Sequence, residues 1–146
     1  MSRLDKPARL GCGSASHSAF PQQLPSQDHM FLRGIEAHGR HGVFEAERRE
    51  GQRFIVDVDW WLYRPAATDD MRDTVCYKAI FDIVVALIVG EPWRLIETFA
   101  ARIATKLLES FPAIAALNVT VHKPDAPIGG RFADVGVSLF RRRSDA

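Results

Sequence analysis

The stretch that decides the fold is residues 51–65, GQRFIVDVDWWLYRP. In an extended chain, Phe54, Val56, Val58, Trp60 and Leu62 fall on one side, and Ile55, Asp57, Asp59, Trp61 and Tyr63 on the other. A period of two held from Phe54 to Tyr63 predicts a long β-strand. Its first face is wholly apolar and needs a covering layer. Its second face mixes two carboxylates with an isoleucine and two aromatics, which is neither a core nor an ordinary solvated surface.

Working outward, residues 30–38, MFLRGIEAH, read as an earlier strand that ends near Gly39 and Gly42. Between the two strands, residues 44–52, FEAERREGQ, are charge-rich and read as a solvated loop. Downstream, residues 64–74, RPAATDDMRDT, break the alternation. A helix is then expected from Tyr77 to Val89, with Ile80, Phe81, Val84, Val85, Leu87 and Ile88 at helical spacing and Gly90 as its stop. A second helix is expected with Pro92 near its start and a buried stripe of Leu95, Ile96, Phe99, Ile103, Leu107 and Leu108, while Arg102 and Lys106 keep to the wetter side. Two more alternating stretches, LNVTVHKP (117–124) and RFADVGVSLFRRR (131–143), close the chain as strands.

The order ββααββ implies an α+β protein, a four-stranded antiparallel sheet with two helices packed on one face, because the apolar stripes cannot otherwise be buried together. Such a sheet leaves two long edges that carry little charge, and a second face that is still partly apolar. Both features point to assembly with further copies, the alternative being a monomer whose second face is merely somewhat apolar.

The chain of 146 residues is 47% hydrophobic and 25% charged, which suits one domain. Residues 30–143 are expected to form it. Residues 1–29, rich in Ser, Gln, Pro and Gly and without apolar periodicity, read as a disordered extension with neither a signal peptide nor a membrane span. The formal charge is +1, with basic and acidic residues interspersed, which argues against a nucleic-acid binder. Cys12 and Cys76 stand in no metal-knuckle spacing, and a reducing, cytoplasmic location is the simpler expectation.

Several residues could carry chemistry. Lys123 shares the parity of Val119 and Val121 and ends a strand, so it sits either at the desolvated rim of the core, where deprotonation is eased, or on the surface as a snorkelling side chain. Glu97, in the first turn of the second helix, either satisfies the helix field or offers a carboxylate to the amino-pyrimidinone edge of a heterocycle. Tyr77 opens the first helix and can pack or move a proton; Val75 and Cys76 before it are extended backbone that can offer main-chain groups. Glu47 lies in the charged loop. His38 and His41 are three apart, with Glu36, Glu45 and Glu47 as the further acidic candidates, but the loop lacks a firm metal-ligand spacing, and His122 can be a packing residue. No phosphate-binding glycine loop, serine elbow or paired-cysteine motif occurs.

Four motifs in order, FLRGIEAHGRHGVFEAERREGQRFIVDV, TDDMRDTVCYKAI, LIETFAARIA and VHKPDAPIGGRFADVGVSLFR, resemble the dihydroneopterin aldolase family along 30–141. The resemblance implies the tunnelling fold, with four subunits closing into a multimeric β-barrel, rings that commonly stack into homo-octamers, and sites between adjacent subunits. It implies cleavage of 7,8-dihydroneopterin, a small-molecule pterin of folate biosynthesis, without metal or Schiff base and with no cofactor. By the same resemblance Lys123 is the catalytic lysine, Tyr77 assists proton movement from a neighbouring subunit, and Glu47 supports the substrate's polar tail and the lysine's charge. Glu97 grips the pterin ring, with Ile96, Val75 and Cys76 giving backbone contacts. The chain departs from the family where AHGRHG puts His38 and Arg40 in place of aromatic residues, and where Cys76 replaces a frequent histidine or aspartate. A 2′-epimerase and a non-catalytic pterin-binding scaffold are the competing functions.

Overall fold

The structure, a computed structural model, describes residues 28–63 and 68–143. The expected extension, 1–29, lies outside the described residues except for Asp28 and His29, and Cys12 lies outside them too. The elements are β1 (His29–Gly39), α1 (Glu45–Glu50), β2 (Gln52–Leu62), a 3₁₀ turn (Met71–Asp73), α2 (Tyr77–Val89), α3 (Ile96–Ser110), β3 (Ile114–His122) and β4 (Gly136–Arg142).

The strands form one antiparallel sheet in the order β1-β2-β3-β4, so β2 and β3 are interior and β1 and β4 are its edges. The apolar row of β2 is buried as its period requires: Phe54, Val56, Val58 and Trp60 are fully enclosed and Leu62 nearly so. They meet Ile80, Val84 and Ile88 of α2 and Phe99, Ile103 and Leu107 of α3, the layer that the apolar face demands. Each such side chain contributes about 1.5–3 kcal/mol when removed from water.

The structure corrects the sequence reading in four places. The charged segment expected as a loop contains the six-residue helix α1. That helix buries only Glu47, so it leaves no apolar stripe in the sequence; it is held by its own ends, with the Gly51 N–H donating to the Glu47 carbonyl at 2.8 Å. Strand β1 contains a bulge between Leu32 and Ile35, centred on Gly34 at φ +76°, which switches its inward parity from even to odd positions. Phe81 is exposed, on the solvent side of α2. Finally, α3 starts at Ile96; Pro92 lies in the preceding turn and Leu95 is the extended N-cap, which leaves Leu95 exposed.

The second sheet face is partly covered by the chain itself. Trp61 is nearly buried beneath His29, stacked at 5.0 Å, and Phe140, edge-on at 5.8 Å. Asp59 is clamped by the Arg33 guanidinium at 2.8 and 3.2 Å. His122 is held at both ring nitrogens, by Asp57 at 2.7 Å and Asp134 at 2.6 Å, which ties β2, β3 and the segment before β4 together.

Partial burial alone would lower the pKa of His122, but hydrogen bonds and charge from Asp57 and Asp134 outweigh it and raise the pKa above its ordinary value. A raised folded-state value means that this stabilisation is complete below about pH 6.5 and fades as pH climbs through the folded-state pKa. The melting temperature of His122→Gln should therefore fall furthest below wild type near pH ~6 and approach it near pH ~9. Thermal melts at both values check this, and an equal gap at the two would refute the clamp.

Candidate active site

Lys123 directly follows β3, with its backbone N–H bonded to the Val135 carbonyl at 2.7 Å. This bond continues the β3–β4 ladder by one step and keeps Lys123 on the side of buried Val119 and Val121. Its ammonium is consequently not a snorkelling surface group: the side chain is 12% exposed and meets the Glu47 carboxylate at 2.7 Å.

Glu47 reaches this point from α1, 7% exposed at its side chain, so it is not the solvated loop residue that its sequence context suggests. Its Oε1 accepts the Phe44 N–H at 3.2 Å, the bond by which a third-position carboxylate completes a helix start. Its Oε2 accepts both Lys123 and the Gln52 amide, the latter at 3.0 Å. Burial raises the acid's pKa, yet the bonds from Lys123, Gln52 and Phe44 together hold it below the ordinary glutamate value. The carboxylate is thus ionised and its orientation fixed by three donors.

Nothing in the sequence distinguishes Gln52, the first residue of β2, as a member of the site. Its Nε2 is engaged by Glu47, while its buried Oε1 has no hydrogen-bond partner among the described residues, leaving an acceptor beside the ion pair.

His41 is the second residue whose role the sequence hides. It is fully buried, stacked on Phe99 at 3.9 Å and edge-on to Phe54. Its Nδ1 accepts the Trp93 N–H at 3.0 Å, so the ring proton sits on Nε2 and is donated to the Ile88 carbonyl at 2.9 Å. Burial pushes its pKa down, against the opposing pull of the Ile88 and Leu87 carbonyls, and nearby Lys123 adds to the lowering. His38, by contrast, meets the Glu50 carbonyl at 2.8 Å. The two histidines that raise a metal-site question are therefore engaged separately by backbone.

The remaining candidates stand at helix starts. Tyr77 is the first residue of α2 and is 61% exposed. Cys76 caps α2 with an extended backbone, and its carbonyl accepts the Ala79 and Ile80 N–H groups at 3.0 and 3.2 Å, so its N–H is the main-chain group left to offer. The Val75 side chain is buried and anchors this turn. Glu97 is exposed in the first turn of α3, next to half-buried Ile96. The first intrahelical bond there runs from Phe99 N–H to Leu95 O, so the N–H groups before Phe99 are free of helical partners. Among the described residues, the structure brings Lys123 and Glu47 together and joins neither to Tyr77, Cys76 or Glu97 by a hydrogen bond or ion pair.

Removing one member of the enclosed pair strands the other charge. Glu47→Ala should lower unfolding stability by roughly 3 kcal/mol, as breaking buried pairs generally does. Since the acid's folded-state pKa is depressed, its contribution is present above the ordinary glutamate value and is lost as pH falls through the folded-state pKa. Urea titrations of wild type and variant at neutral and acid pH measure both effects; equal stability of the two proteins at neutral pH would show the pair to be inert.

Comparison with known proteins adds an independent line. The family model described as dihydroneopterin aldolase matches residues 30–140. A dihydroneopterin aldolase from Streptomyces coelicolor is 48% identical over 118 residues, covering 80% of this chain and 98% of that protein. The crystal structure of E. coli dihydroneopterin aldolase in complex with neopterin superposes with a TM-score of 0.70 at 30% identity, covering 78% of this chain and 98% of the other. A dihydroneopterin aldolase structure from Burkholderia thailendensis, bound to guanine, gives a TM-score of 0.64 at 27% identity, covering 79% and 90%. With its ion pair, its sheet order and these matches in agreement, the chain belongs to the dihydroneopterin aldolase family.

Proposed function

We propose that this protein cleaves 7,8-dihydroneopterin into 6-hydroxymethyl-7,8-dihydropterin and glycolaldehyde, as a carbon–carbon lyase of folate biosynthesis. The observation that carries this reading is the enclosed Lys123–Glu47 pair at the end of β3, in a chain of this family. The dihydropterin supplies its own electron sink. When the 2′-hydroxyl gives up its proton, the C1′–C2′ bond breaks, C2′ becomes the aldehyde carbon of glycolaldehyde, and the electron pair flows into the C6=N5 imine. The resulting enamine takes a proton at C1′ and becomes the hydroxymethyl product. The protein has to hold the ring and deliver protons at these atoms.

Lys123 handles the proton transfers at the hydroxyl and N5, and Glu47 holds the ammonium in place and receives the polar tail. Glu97 receives the pterin N3–H and 2-amino group, helped by the free N–H groups of its helix turn. Ile96, Val75 and Cys76 frame the ring, and Tyr77 assists the proton that leaves the cleaved tail. Within one chain Tyr77, Cys76 and Glu97 are exposed and make no hydrogen bond or ion pair with Lys123 or Glu47. The exposure of Tyr77 supports a site completed between subunits, with Tyr77 reaching in from the neighbour, in a tetramer whose β1 and β4 edges pair into a closed barrel, or in an octamer of two such rings. The strand that His29 opens begins the catalytic unit, which runs to Arg143 and is preceded by the extension, and the protein works in the cytoplasm. Among the described residues no helix is long and apolar enough to cross a membrane.

Incubation of purified protein with 7,8-dihydroneopterin, without added metal and with product separation, tests the reaction. Glycolaldehyde release supports it, and dihydromonapterin as the sole product would make the protein a 2′-epimerase. Lys123→Ala should reduce turnover by at least about a hundredfold while pterin affinity changes far less, as loss of a general acid–base group does. Glu97→Ala should chiefly abolish binding. Unchanged turnover in Lys123→Ala would remove the lysine from its assigned role.

A further inference from the structure

We propose that His41 is a positioning residue for this reaction: its neutral imidazole fixes the turn on which Glu47 rests, and through Glu47 the place of the Lys123 ammonium. This role rests on the lyase reading above and concerns a fully buried residue whose hydrogen bonds go to backbone groups and not to the ion pair. Two consecutive residues, His41 and Gly42, clamp both backbone polar groups of Trp93. His41 Nδ1 accepts the Trp93 N–H at 3.0 Å, and the Gly42 N–H donates to the Trp93 carbonyl at 2.9 Å. The other ring nitrogen secures the end of α2 through the Ile88 carbonyl, and Phe99 of α3 closes the ring's face.

Gly42 then sets where the carboxylate goes. A Cβ built on it would collide with Glu47 Oε1, so the acid packs directly against the backbone of this turn. A shift of the turn displaces Glu47, and Lys123 with it. Displacement of about 1 Å at a reacting group can cost on the order of a hundredfold in rate. Both bonds require the tautomer with its proton on Nε2, so a ring that only filled the space would not perform the task.

The test compares three variants. His41→Phe keeps the stack and loses both hydrogen bonds. His41→Asn places an oxygen near Nδ1 and keeps the Trp93 bond. Gly42→Ala leaves His41 intact and pushes on Glu47. Turnover of 7,8-dihydroneopterin is measured alongside the rate at which Lys123 is acylated by an N-hydroxysuccinimide ester, followed by mass spectrometry. Expected are a loss in kcat of at least about tenfold in His41→Phe and Gly42→Ala, with KM changed less than about threefold, and substantial recovery in His41→Asn. Lys123 acylation should quicken in the same two variants and return towards wild type in His41→Asn. If His41→Phe does not fold, Gly42→Ala and His41→Asn still decide between positioning and packing. A lower melting temperature with unchanged kcat and unchanged acylation would reduce His41 to a packing residue and overturn the proposal. If wild type itself releases no glycolaldehyde the lyase reading fails, and the acylation series still decides whether His41 positions the pair.

Discussion

One apolar row on β2 governs the molecule. Phe54, Val56, Val58, Trp60 and Leu62 must all leave water together, and only α2 and α3 lying on the same side of the sheet provide the cover. Because β2 is interior, pairing with β1 on one side and β3 on the other, its register also fixes what stands at the ends of both neighbours. A slip of one residue would turn the row outward, so the alternatives are widely separated in energy. The positions of Glu47, just before β2, and Lys123, just after β3, follow from that register.

The ion pair illustrates how a scaffold tolerates charge where water is scarce. Two ions enclosed at a rim cost several kcal/mol in lost hydration, which a single contact does not necessarily offset. Here the carboxylate has three donors, from Lys123, Gln52 and the Phe44 backbone. The short helix α1 exists largely to present that carboxylate, since Glu47 is its one buried residue. Local structure and site are thus the same object: the bond that starts the helix also fixes the angle of the acid.

How much of this can be read from the sequence depends on whether a signal repeats. The period of two along 54–63 and the helical spacing of Ile80, Val84 and Ile88 reveal the sheet and its cover, because many residues report the same fact. Parity places Lys123 at a strand end, though it does not separate rim from surface. Helix α1, the Gly34 bulge and the exposure of Leu95 are hidden, since each rests on one or two backbone bonds or angles that leave no pattern. His41 is visible as a histidine near another, which suggests a metal question. Its actual partners, Ile88 and Trp93, are backbone groups 47 and 52 residues away, where no side-chain chemistry marks the contact. The fold of one chain leaves Glu97 and Tyr77 as exposed polar groups at helix starts, and the roles proposed for them rest on the family resemblance.

That exposure bears on how the chain is built. A buried charge pair needs a rigid setting, because loosening either partner leaves an unpaired ion. Groups that only grip or assist a ligand can stand at exposed helix starts, where unpaired N–H groups and the helix field already favour an anion. Glu47 and Lys123 lie at the rim of the core, while Tyr77 and Glu97 stand at the surface in the first turns of α2 and α3. The sheet shows a parallel asymmetry. Its interior strands carry the core, and its edges, β1 and β4, retain hydrogen-bonding groups that a neighbouring copy can satisfy. Edge pairing with a neighbouring copy would therefore satisfy those groups and stabilise the fold.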